Sequence, residues 1–143
     1  MAKFFNRTDK RDIEELIFDI AEHNKEEDHH RLYDLLSGRE LFLPVVPESL
    51  PANYVPGSKV IVNSSMRIRV RNVQGPNGEV FIPGSTQEDC PMIQDGYIGM
   101  GWFEYLKMAL RTPSVSGVLI QGEKSWVGLD KLRIQYILQH YDV

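Results

Sequence analysis

Hydrophobic residues in this chain change their spacing several times, and a fold built only of helices or only of strands cannot accommodate that. Ile13, Leu16, Ile17, Ile20 and Ala21 recur at the intervals of one helix face. "ELFLPVVP" (40–47) is a short apolar run closed by proline, as expected of a buried strand. Trp102, Tyr105, Leu106, Ala109 and Leu110 return to helical spacing, and Pro113 closes that segment. "SGVLIQ" and "EKSWVG" then read as short strands, and "LDKLRIQYILQHY" as a terminal helix. Two helices, a run of strands, one helix, two strands and a helix form an α+β pattern. It predicts a mixed, mainly antiparallel sheet of about five to six strands with helices packed on it.

Local signals sharpen the boundaries. Thr8 or Asp9 is the expected cap of the first helix, with Asp12, Glu14 and Glu15 placed to complement its dipole. Asn24-Lys25 should break the helix, and a second one over 26–37 should stop at Gly38. That second helix is expected to bury Leu32, Leu35 and Leu36, with Tyr33 at its flank. "KVIVNSSMRIRVRNVQ" holds two strand-like pieces, and the "GPNGE" turn suggests a hairpin of 67–74 with "VFIP". Residues 84–101 are polar and glycine-rich and read mostly as loop. No repeat or second domain is visible, so 1–143 is taken as one domain with 1–8 a loosely ordered N-terminus.

Composition excludes several classes. With 143 residues, 42% apolar and 25% charged, the chain can build a core and is not of disordered type. No apolar run approaches the roughly 18 residues of a membrane span, and the N-terminus lacks the apolar core of a secretory signal. A lone cysteine, Cys90, suits a reducing cytoplasm. The net charge of −4 argues against a nucleic-acid binder.

Three segments, "RLYDLLSGRELFLPVV" (31–46), "GEVFIPGST" (78–86) and "GVLIQGEKSWVGLDKL" (117–132), carry a further signal. Their order resembles the N-terminal domain of the SseB family, bacterial proteins named for enhanced serine sensitivity. The resemblance covers residue 10 to the end and implies a bacterial α+β domain. It transfers no catalytic residues. The chain departs from the family pattern at Pro83–Thr86, where an aromatic is expected before the hydroxyl residue. It departs again at Gln121-Gly122, where Asn-Pro is expected.

Candidate sites were weighed against simpler readings. His23, His29 and His30 crowd with Glu26, Glu27 and Asp28, but lack a zinc spacing such as H-E-x-x-H. They read as exposed histidines behind an acidic helix start, so no metal or cofactor is expected. Arg67, Arg69 and Arg71 share one face of a strand and form a candidate basic stripe. Ile134, Ile137, Leu138 and Tyr141 form a second apolar stripe on the last helix, either covered within the domain or a partner or homodimer face. Trp126 could belong to the same surface. With no paired catalytic constellation, the expected function is a non-catalytic, cytosolic protein-binding module, immunity-like or regulatory. The rival is a small ligand-binding domain or enzyme using the 84–101 loop, with Asp89, Cys90, Asp95 and Tyr97 at its mouth.

Overall fold

The computed structural model describes residues 10–49, 59 and 69–141. The first helix, α1 (Ile13–His23), starts at Asp12, whose carboxylate accepts the Glu15 amide while the Glu15 side chain accepts the Asp12 amide. This reciprocal cap satisfies two amides at the helix start. The residues expected to cap it, Thr8 and Asp9, lie outside the described residues, as does the segment 1–8. Asn24 ends the helix with φ of 51°, a left-handed conformation that asparagine tolerates. The second helix, α2 (Glu26–Leu36), follows at once. Tyr33 is fully buried and Leu35 only partly, the reverse of the expected assignment.

Six strands follow the helical pair: β1 (Glu40–Pro44), β2 (Val73–Gln74), β3 (Val80–Ser85), β4 (Tyr97–Gly101), β5 (Gly117–Gln121) and β6 (Trp126–Asp130). Helix α3 (Trp102–Arg111) separates β4 from β5, and α4 (Lys131–Tyr141) ends the described chain. The sheet order is β4-β1-β3-β5-β6, with β2 paired to β3. Every pair is antiparallel except β3–β5, whose parallel alignment is made by the crossover through α3. The α+β class and mixed sheet expected from the spacing are therefore found. The expected hairpin survives as Val73 and Gln74 opposite Phe81 and Val80, while 67 and 68 lie outside the described residues.

Residues 84–101 are mostly loop, as expected, but seven of the eighteen are in strands. They hold the end of β3, a short 3-10 turn at Pro91–Ile93 and all of β4, which pairs along the whole of β1. Glycine hid the strand. A Cβ on Gly99 would sit 2.7 Å from the Glu40 carboxylate that folds over it. Likewise Leu129 and Asp130 belong to β6 and not to the last helix, because the Asp130 carboxylate accepts the Arg133 amide and starts α4 directly from the strand.

The registers put Leu41, Leu43, Ile82, Val118, Ile120, Val127 and Leu129 on one face of the sheet. Leu16, Ile17 and Ile20 of α1, Leu32 and Leu36 of α2, Trp102 and Leu106 of α3, and Ile134 and Ile137 of α4 join them in one core. Among the described residues no helix is long and apolar enough to cross a membrane. Tyr105 reaches across this core to donate its hydroxyl to the Ile82 carbonyl at 2.5 Å. Gly84 makes room for it, since a Cβ there would lie 2.8 Å from the ring. Gly84→Ala should therefore destabilise the fold by about 1–3 kcal/mol through overpacking. Chemical denaturation should show this as a lowered midpoint at unchanged slope.

Candidate functional site

The acidic start of α2 leads into a buried polar cluster. His29 and His30 are only 6% and 8% exposed, so the expected surface histidines are interior residues. His29 pairs through Nδ1 with the Tyr33 hydroxyl at 2.9 Å and through Nε2 with Asn24 Oδ1 at 2.7 Å. His30 Nδ1 meets the Tyr141 hydroxyl at 2.6 Å, and its ring stacks on Tyr141 and lies edge-on to Tyr136. Arg133 of α4 forks onto the Glu26 carboxylate at 2.5 and 3.0 Å. Neighbouring elements, not α2 alone, bury them: Tyr136 and Tyr141 of α4 lie against His30, while Asn24 at the end of α1 and Tyr33 hold His29.

Burial pushes both imidazoles below the usual histidine range; Arg133 opposes their charge and Glu26 favours it. The hydrogen bond from Arg133 holds Glu26 below the usual carboxylate range. Burial raises the Tyr33 and Tyr141 hydroxyls, the latter to about 12. The cluster thus holds α4 to α2 with neutral imidazoles and phenols. Both nitrogens of His29 already have protein partners, and no group of three metal-ligating side chains gathers among the described residues.

The other anticipated residues are dispersed. Ile134 and Ile137 are fully buried, with Leu138 and Tyr141 packed against the same core. That stripe is covered within the domain, because α2 and α3 both pack on α4, and it offers no exposed docking face. Arg67 lies outside the described residues. Arg69 and Arg71 are exposed, and Arg71 reaches Asp95 at 3.7 Å. Cys90 sits in a cleft of about 540 Å³ where the parallel strands β3 and β5 end, beside Ser85, Asp89, Gln121 and Glu123. The cleft lining contains no histidine. Asp95 and Tyr97 do not line it, and the Tyr97 hydroxyl donates to Glu88 instead.

Trp126 is exposed, and the structure adds a neighbour that sequence reasoning missed. Three large apolar side chains stand out among the described residues: Phe18 at 48%, Trp126 at 56% and Leu132 at 77% exposure. Phe18 had a readable signal. It interrupts the polar side of α1, off the Ile13-Leu16-Ile17-Ile20 stripe that faces the core. Helix α1 packs against β6, and two hollows lie beside it. One, about 420 Å³, faces the turn before β6 and is lined by Glu14, Phe18, Asp19, Glu123 and Lys124 among others. The next, about 480 Å³, faces β6 and is lined by Ile20, Ala21, Asn24, His29 and the run 124–128, so Lys124 borders both.

Glu14 sets this junction. One carboxylate oxygen accepts the Thr86 hydroxyl at 2.6 Å, and the other accepts the Glu123 amide at 2.5 Å. Gly122 is required beneath it, since a Cβ would stand 2.7 Å from Glu14 Oε1. The glycine at the second departure from the family pattern is therefore a packing residue of this chain. No family model, curated protein or solved structure matches the chain.

Two expected outcomes follow from the histidine cluster. Unfolded histidines take up protons near pH 6.5, whereas the folded imidazoles resist protonation. Stability should therefore be flat above neutrality and decline as pH falls below about 6.5, by at most about 1.4 kcal/mol per pH unit for each histidine. Denaturant titrations across pH 5–8 should show this decline, and it should shrink in His29→Gln and in His30→Gln. In a thermal melt, a tenfold excess of zinc should leave the midpoint unchanged; a rise would reveal a site that the paired His29 nitrogens argue against.

Proposed function

We propose that the chain is a non-catalytic protein-binding module of the bacterial cytosol, an immunity-like or regulatory partner, in keeping with its resemblance to SseB. The observation that carries this reading is a pair of exposed aromatics, each lining one of two hollows that meet at Lys124: Phe18 between α1 and the turn before β6, and Trp126 between α1 and β6. Large aromatic side chains held in water are anchors for partner surfaces. Leu132 stands apart on α4 and supplies a control. A second reading rests on the cleft at Cys90, whose size suits a small ligand. It would be supported by a small molecule whose binding is lost in Cys90→Ser.

The main reading is tested by capturing a partner from the native host, identifying it, and measuring its binding with purified components. Trp126→Ala should weaken that binding by thirtyfold or more, the loss expected of a hot spot, while Leu132→Ser should change it less than threefold. Equal binding by wild type and Trp126→Ala would remove the aromatic groove from the interaction.

A further inference from the structure

We propose that the groove between α1 and β6 takes an extended, basic segment of a partner protein, which joins the sheet as an added strand beside β6. This rests on the protein-binding reading and names the chemistry of the partner.

The two sheet edges differ. The outer side of β4 is bridged by Lys59, which aligns with Tyr97 and pairs with Glu40 at 2.5 Å. On the other side β6 ends the sheet order, and among the described residues no strand pairs with its outer side. Natural edges are commonly blunted by proline, a bulge, a very short strand, charged side chains, or a covering helix or loop. Strand β6 has neither proline nor bulge, and its five residues stay in unbroken register with β5. Its edge is thus a regular template for main-chain hydrogen bonds.

The groove lies along that edge. Successive strand residues point to opposite faces of a sheet. A hollow lined by Ser125, Trp126, Val127 and Gly128 in a row therefore runs beside the strand and not over one face. Its far wall is the end of α1, at Ile20, Ala21 and Asn24, with His29 of α2 beside them. A strand placed about 4.8 Å from β6 would turn alternate side chains toward that wall and toward Trp126. Trp126 extends along its own strand to Gly128, coming within 3.8 Å of where a Cβ would be, which leaves a bare, flat surface beside the indole.

Charge selects the occupant. The adjoining hollow sets the carboxylates of Glu14, Glu15, Asp19 and Glu123 against the single ammonium of Lys124. Arg11 pairs with Asp19, and Glu14 accepts the Thr86 and Glu123 donors, but the lip remains acidic in sum. An incoming strand with alternating basic and apolar residues matches both the acidic lip and the aromatic flank.

The experiment uses the full chain, ¹⁵N-labelled, and a panel of nonapeptides alternating Lys with Val, Leu or Phe. The controls are the matching Glu peptides and fully N-methylated Lys peptides. At least one Lys peptide should bind and slow exchange of the β6 amides not bonded to β5 by tenfold or more. Its Glu and N-methylated counterparts should not bind, and Trp126→Ala and Phe18→Ser, with unchanged circular dichroism, should each weaken it about tenfold. Binding that leaves β6 exchange unchanged, equal binding of an N-methylated peptide, or no binding by any Lys peptide would overturn the proposal. A dimer of the free chain abolished by Trp126→Ala would overturn it too, assigning the edge to a second copy. Should all peptides fail while the captured partner still depends on Trp126, strand addition falls and the protein-binding reading stands.

Discussion

The placement of α1 over the end of the sheet depends on the Glu14 carboxylate. Its two oxygens accept one donor from the turn after β3 and one from the turn after β5. A carboxylate accepting such bonds is a strong acceptor, and here it joins the first turn of a helix to the ends of two parallel strands. Arg11 makes the next connection, bridging Asp19 of α1 to the buried Asp28 of α2 at 2.8 and 2.7 Å. From α2 the chain of contacts passes through His30 to Tyr141 and reaches α4. Helices α1, α2 and α4 are thus tied together by polar bonds and packed by apolar burial. The bonds contribute modestly to net stability, but they decide where each helix sits.

The class and element order were legible because the hydrophobic period changes cleanly, from Ile13-Leu16-Ile17-Ile20 to the compact Leu41–Pro44 run and back at Trp102. Strand β4 was not legible. Its apolar residues, Tyr97, Ile98 and Met100, stand between glycines, and the strand it pairs with, β1, lies far earlier in the chain. The same limit hid the cap of α1, where Asp12 and Glu15 were both read as dipole partners and their reciprocal bonding was missed.

The histidines were misread, and the second stripe of the last helix was left open between two readings, for a shared reason. An amphipathic pattern shows which residues can be buried, but not which neighbour buries them. His29 and His30 look solvent-facing on α2 taken alone, and Ile134 and Ile137 look surplus on α4 taken alone. Contact between those two helices accounts for His30 and the stripe, while His29 is held by Asn24 and Tyr33. Trp126 was named for the α4 surface, whereas it is exposed on β6 and Phe18 is a second exposed aromatic, on α1.

Strand β6 is anchored at both ends. At its start, the Gly122 amide donates to the Ser125 carbonyl, closing the turn under Glu14. At its finish, Asp130 is both the last residue of the strand and the cap of α4. Local hydrogen bonds thus tie both ends of the edge strand. For the strand addition proposed above, that would leave the entropy of ordering mainly to the incoming chain.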